Sequence, residues 1–284
     1  MTDAISTGRL RAVRAMRYVT PLREGGSLPG LMEANDDGLY VVKYRGAGQG
    51  PKALIAEIIA GELGRLLGLP VPELVLVDMP AALASGEPDP EIQALLAASA
   101  GLNLGLDFLP GALAFDPAAR RPVDPAFAAD VVWFDALVAN VDRTARNTNL
   151  LWWGDRLWLI DHGAALYIHH RWGDPATQAR REFPAITEHV LLPTAGSLVD
   201  ADARLASRLD DDALWSVLAS VPDEWLGHDD VIGGPDLQRD AYLTYLRRRL
   251  AAPRPFLEAA ERARTAPAVG TIDPERRTRG RRRE

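Results

Sequence analysis

Residues 140–149 read NVDRTARNTN and residues 159–163 read LIDHG. Between them stand two apolar runs, LLWW at 150–153 and RLWLI at 156–160, separated only by Gly154-Asp155. A two-residue loop of Gly and Asp between strand-like runs predicts a β-hairpin, since these residues accept the positive φ values of a tight turn. Asn and Asp also populate loops for turn chemistry alone. Here their order carries more. Asp142 and Asn147 are five residues apart in one polar loop, and the hairpin delivers Asp161 shortly before Gly163. In ATP-dependent phosphoryl transfer a loop Asp orients the attacking hydroxyl or takes its proton, an Asn five residues on binds Mg²⁺, and an Asp after a hairpin binds Mg²⁺ and bridges the phosphates. Asp142 is therefore the candidate catalytic group, with Asn147 and Asp161 the candidate metal ligands.

Immediately upstream, DPAFAADVVWFDALVAN at 124–140 predicts a helix with Asp124 as its cap and Pro125 in its first turn. Further back, RYVTPL, LMEA and LYVVKY between Arg17 and Tyr44 predict strands, and Asp37-Gly38 predicts a hairpin turn between the last two. The first two are joined through GGSLPG, Gly25 to Gly30. Glycine lets backbone N–H groups approach phosphate because no Cβ intervenes, which makes Gly25, Gly26, Ser27 and Gly30 candidate nucleotide contacts. A plain hairpin loop rich in Gly and Pro has the same composition.

Lys43 shares the phase of Val41 in LYVVKY, so it faces inward if Val41 does, and a buried ammonium requires an anion. Phosphate oxygens can supply one, as can a carboxylate on the next element. That element, KALIAEIIAGELGRLLGL at 52–69, has the helical period in Leu54, Ile55, Ile58, Ile59, Leu63, Leu66 and Leu67, and ends at Gly68 with Pro70 beyond. Glu57 is flanked by Ala53, Ala60 and Gly61, small residues that admit a neighbouring strand, and is favoured over Glu62 as the partner of Lys43. VPELVLVDM supplies a further strand, LGLDFLPG a short apolar segment, and ALAFDPAARRPVD a loop. After Leu198 the pattern is helical, through DDALWSVLASV and PDLQRDAYLTYLRRRLAA.

A chain of 284 residues, 47% hydrophobic and 25% charged, is in the globular range. It contains no run of about 18 apolar residues, and charges occupy the start where a secretory signal needs an apolar core, so a cytoplasmic protein without a membrane span is expected. The absence of cysteine excludes disulfides, thiolate nucleophiles and Cys-ligated metals. The five histidines form no HExxH pair. The net charge is -7, and the last ten residues, ERRTRGRRRE, hold six Arg and two Glu. This run is expected to be a disordered basic tail, with at most a weak contact to RNA or an acidic surface. The acidic remainder argues against a nucleic-acid-binding protein.

At VDRTARN and LIDHG the chain resembles the HipA-like kinases and, more distantly, the phosphatidylinositol kinases; KALIAEIIAGELGRLLGLPVPE is similar to the helix and strand entry of HipA-related proteins. The resemblance covers about residues 20 to 200. It implies an α+β, bilobal kinase-like fold: a small N-terminal antiparallel-sheet lobe with one helix over 1–110, a larger, mostly helical lobe over 111–265, and the tail over 266–284. ATP is then expected between the lobes, with Mg²⁺ as cofactor. The resemblance further implies that Asp142 is the catalytic Asp, that Lys43, positioned by Glu57, contacts phosphate, and that Asn147 and Asp161 bind metal. Asp107, Phe108 and Leu109 would correspond to the adenine hinge. Ser27 matches the loop serine that HipA-like proteins can autophosphorylate. HipA-like toxins usually have Asp-Arg-His where this chain has Asp142-Arg143-Thr144. Asn149 reads as a turn residue and His162 as structural. The expected activity is transfer of the γ-phosphoryl to a protein Ser or Thr. A lipid or small-molecule acceptor is the alternative, as is a nucleotide-binding pseudokinase.

Overall fold

The computed structural model describes residues 10–22, 28–48, 50–119 and 121–266. The fold is mixed α and β, with a sheet at the N-terminal end and helices dominating the rest. Five strands, β1 (Arg11–Pro21), β2 (Gly30–Ala34), β3 (Leu39–Lys43), β4 (Leu74–Met79) and β5 (Gly101–Asp107), close into a barrel in the order β1-β2-β3-β5-β4. β1 joins β4 in parallel, with Arg11 opposite Val75 and Val13 opposite Val77, and the other pairings are antiparallel. The sheet is thus mixed and closed where a purely antiparallel one is expected from sequence. β1 is 11 residues long and carries register shifts after Ala15 and Tyr18. Such irregularities bend a strand and increase its twist, which lets β1 reach both edges.

The barrel interior is filled by Val13, Ala15, Met32, Tyr40, Val42, Val75 and Val77. Gly105 faces the same space, where a Cβ would come within 2.7 Å of Val77 Cγ2 and 2.9 Å of Val75 Cγ2, so only glycine fits. The opposite face of β4 and β5 packs Leu74, Leu104 and Leu106 against α1 (Gly50–Leu66), whose Ile55, Ile58, Ile59 and Leu63 are buried. Gly61 permits this approach, since a Cβ there would lie 2.6 Å from Leu74 Cδ1. Tyr40, Val42 and Tyr44 take the interior phase of β3, which leaves Lys43 on the α1 side.

A second helix, α2 (Pro90–Ala98), accompanies the barrel where only one helix is expected; Ile92 and Leu96 pack into the barrel cluster. Its signal is local: Asp89 accepts from Glu91 N at 3.0 Å and Pro90 begins the first turn. The segment read as loop, 112–124, contributes a two-residue strand β6 (Leu113–Ala114) that pairs with β7 (Leu150–Trp153), itself in a hairpin with β8 (Arg156–Leu159). Gly154 at φ 52° and Asp155 at φ 59° form the turn that their sequence predicts.

Between β6 and β7 runs α3 (Pro125–Val138), capped as expected by Asp124, whose carboxylate accepts from Phe127 N at 3.2 Å. Val131, Val132, Trp133, Phe134, Leu137 and Val138 are all buried, so the helix is apolar nearly all round, the signature of a core helix. It packs on α5 (Leu198–Leu205), α8 (Pro235–Leu250) and α9 (Pro255–Thr265). α4 (Pro175–Ala179), α6 (Asp211–Leu218) and α7 (Asp223–Leu226) complete the described α-helices. Among the described residues no helix is long and apolar enough to cross a membrane. The basic segment 267–284 lies outside the described residues.

Candidate active site

Lys43 ends β3 opposite Leu104 of β5, with its side chain only 12% exposed. Its Nζ donates to Glu57 Oε2 at 2.6 Å and to Asp161 Oδ1 at 2.8 Å. Burial alone would lower the Lys43 pKa, but the charges of Glu57 and Asp161 outweigh it and hold the ammonium above its ordinary value. Burial would likewise raise the Glu57 carboxyl, yet the Lys43 ammonium above all holds it well below the usual carboxylate range. Glu57 is fully buried on α1, whereas Glu62 lies 3.3 Å from Arg65 one turn on. The residue that meets Lys43 is thus the one flanked by small neighbours. His162 is also fully buried, edge-on to Phe134, with Nδ1 3.5 Å from Glu57 Oε1, a contact that falls short of a hydrogen bond.

Asp142 lies in the loop that leaves α3. Its Oδ2 accepts from Asn147 Nδ2 at 2.8 Å and Asn149 Nδ2 at 3.4 Å; Asn149 Nδ2 also donates to Asp142 O at 3.0 Å. Asn149 therefore does more than turn the chain. Thr144 N donates to Asn147 O at 2.9 Å, closing the loop on itself. Partial burial raises the Asp142 pKa and the Asp161 charge adds to the rise, while the two Asn amides oppose it. Asp161 sits just past β8 at φ 55°, a left-handed conformation that Asp tolerates, with its side chain 43% exposed. Directing its N–H group at Asp142 leaves the Asn147 amide oxygen available, and Asp161 contributes carboxylate oxygen. That donor set suits a hard cation such as Mg²⁺.

Beneath the loop is a polar network that the sequence reading missed. Asp135 of α3 is fully buried, its Oδ2 accepting from Arg143 Nε at 2.6 Å and its Oδ1 from Asn140 Nδ2 at 3.0 Å. His189 Nδ1 accepts from Leu191 N at 3.1 Å, so Nε2 carries the proton and donates to Asp135 Oδ2 at 2.9 Å. Burial would raise the Asp135 carboxyl, but Arg143 and His189 hold it well below the ordinary range. The one readable signal is Asp135 amid the apolar run VVWFDALV, since a buried carboxylate demands partners.

Of the Gly-rich segment, Gly25, Gly26 and Ser27 lie outside the described residues. Gly30 opens β2, where a Cβ would meet Tyr44 Oη at 2.1 Å. Asp107 ends β5 and donates its N–H to Glu73 O at 2.9 Å, while Phe108 N donates to Leu39 O at 2.9 Å, so both amides are committed to the sheet. Asp107 pairs with Tyr40, which puts it about 10 Å along the strands from Lys43. A cavity of about 30 Å³ opens between Lys43, Ala53, Asp161 and Gly163. The larger groove, about 520 Å³ and lined by Leu10, Trp215, Pro222 and Arg239, contains none of these residues. The charged cluster, not the larger volume, is the candidate site, because a buried ammonium between two carboxylates needs a reason that an open surface groove does not.

A family model described as HipA-like kinase matches residues 16–252. A Helicobacter pylori proinflammatory kinase, CtkA, is similar in structure, with a TM-score of 0.51 and 14% identity over 87% of this chain and 96% of that one. A Golgi casein kinase is similar at a TM-score of 0.43 and 15% identity, over 90% of this chain and 73% of that one. No curated protein sequence matches the chain.

Proposed function

This chain belongs to the HipA-like kinases and is a phosphotransferase, and we propose that it transfers the γ-phosphoryl group of ATP, with Mg²⁺, to the hydroxyl of a protein Ser or Thr. The observation that carries this reading is Lys43 Nζ held between Glu57 and Asp161, with Asp142 and Asn147 hydrogen-bonded on the adjoining loop. In this reading the nucleotide lies between an N-terminal lobe ending near residue 110 and the helical remainder. Lys43 presents positive charge to the phosphates, and Glu57 keeps its side chain extended toward them. Asp142 orients the acceptor hydroxyl and takes its proton as the oxygen bonds to the γ-phosphorus and ADP departs. The amides of Asn147 and Asn149 fix the rotamer of that carboxylate. Asn147 and Asp161 are the residues that would hold Mg²⁺, which when bound neutralises charge on the phosphates. With the Asp107 and Phe108 amides in the sheet, the N–H of Leu109 is the hinge donor left for adenine.

The test is incubation of the purified protein with γ-labelled ATP, Mg²⁺ and host lysate, followed by identification of labelled products. Label in Ser or Thr of a protein supports the reading, and label only in lipid or a small alcohol replaces the acceptor class. Binding of Mg²⁺-ATP in calorimetry without any transfer identifies a pseudokinase. No binding at millimolar nucleotide overturns the nucleotide site itself.

A further inference from the structure

We propose that Arg143 is a positioning residue for phosphoryl transfer, its buried guanidinium setting the spacing between the loop that carries Asp142 and the segment that carries Asp161. The inference rests on the kinase reading above.

Arg143 is 1% exposed, and its NH1 donates to Asn149 O and, at 3.4 Å, to Ile160 O. Asn149 is the residue whose amide grips Asp142, and Ile160 immediately precedes Asp161. Ile160 N also donates to Asn149 O at 3.1 Å, so the two segments meet at one carbonyl and the guanidinium braces both sides of the junction. Asn149 at φ 48° and Asp161 at φ 55° are both left-handed. Such residues hold their conformation only where the surroundings over-determine it.

The guanidinium is itself held. Its Nε binds Asp135 Oδ2, which Asn140 and His189 orient from two further directions, and Arg143 O accepts from Val190 N at 3.0 Å. A buried ion pair is a poor source of stability, because apolar residues of similar volume usually serve as well. What apolar residues cannot supply is a planar fork whose Nε holds Asp135 while its NH1 alone reaches two separate carbonyls, NH2 having no partner. Those carbonyls belong to the backbone beside Asp142 and Asp161, so the directional contacts of Arg143 act on the separation of these two carboxylates.

The experiment compares wild type with Asp135→Leu/Arg143→Met, which removes both buried charges together, and with Arg143→Lys, which keeps the charge and loses the fork. Melting temperature and the kcat and KM for ATP in transfer of labelled phosphoryl from γ-labelled ATP to the acceptor identified above are measured for each. The double variant is expected to fold with a lowered melting temperature, since Asn140 and His189 lose their buried acceptor, and to show kcat at least tenfold lower with KM for ATP changed by less than about threefold. Arg143→Lys is expected to show the same split. A folded double variant with wild-type kcat overturns the proposal, because the fork is then dispensable. If the double variant does not fold, Arg143→Lys decides in the same terms; if neither folds, Arg143 is a fold staple and the proposal fails. Wild-type protein that neither binds nor turns over Mg²⁺-ATP is a different result, and overturns the kinase reading itself.

Discussion

Lys43 and Asp161 are 118 residues apart in the chain, yet Lys43 Nζ lies 2.8 Å from Asp161 Oδ1. The same ammonium lies 2.6 Å from the fully buried Glu57, so one cation bridges two carboxylates contributed by different elements. Lys43→Met should leave Glu57 buried without its counter-charge, a loss of about 3–5 kcal/mol. Adding Glu57→Leu should recover most of that stability while phosphoryl transfer stays absent. Urea denaturation of both variants alongside a transfer assay tests this, and a stable, active single variant would remove Lys43 from the site.

Asp161→Asn and Asp142→Asn should separate binding from transfer. The first removes a charge that, on the proposed reading, holds Mg²⁺ against phosphate, so Mg²⁺-ATP affinity and transfer should fall together. The second should change ATP affinity by less than tenfold, about 1.4 kcal/mol, while transfer slows by on the order of 10² or more. Calorimetry and labelled-ATP kinetics measure the two quantities, with circular dichroism to establish folding. Full transfer by Asp142→Asn would defeat the catalytic assignment.

Stability should rise with pH from mild acid toward neutrality, and His169 supplies a defined part of the slope. His169 is fully buried with Nδ1 2.8 Å from Tyr242 Oη, and burial first, then His170 and Lys52, push its pKa down to about 3. The folded value lies below the unfolded value of about 6.5, so unfolding takes up a proton between them. The contribution is complete above pH of about 6.5 and is lost as pH falls toward 3, at up to about 1.4 kcal/mol per pH unit. His170, also pushed down by burial, adds to the slope. Glu57 and Asp135, held low in the folded state, contribute fully above about pH 4 and steepen the slope only below it. Urea midpoints between pH 4.5 and 6.5 should therefore be flatter for His169→Gln than for wild type, and an unchanged slope would contradict the assignment.

Gly105→Ala should destabilise the barrel by about 1–3 kcal/mol, because the new methyl would meet Val77 Cγ2 at 2.7 Å and Val75 Cγ2 at 2.9 Å. Thermal melting measures the loss, and Val77→Ala in the same chain should return part of it. An unaltered melting temperature for Gly105→Ala would mean that the interior relaxes around the added carbon.

What the sequence determined by itself was what short-range chemistry encodes. The Gly154-Asp155 turn follows from residues that accept positive φ, the start of α3 from the Asp124 carboxylate and Pro125, and the course of α1 from its apolar period. The Asp89-Pro90 cap of α2 is equally local, although only one helix is expected beside the sheet. The candidate residues Asp142, Asn147 and Asp161 were legible because their spacing is set along the chain, within one loop and one hairpin. Tertiary structure decided the rest. Parallel pairing of β1 with β4 depends on two edges meeting across about 60 residues, and no local propensity specifies which edges meet. The face of β3 that holds Lys43 was undecided in sequence, since alternation says which residues share a face but not which face meets α1. Asp135 reads as one of two charges in a largely apolar helix; only folding brings Arg143 from the following loop and His189 from 54 residues away to satisfy it. Burial makes those partners obligatory, and the sequence does not state which groups will be buried together.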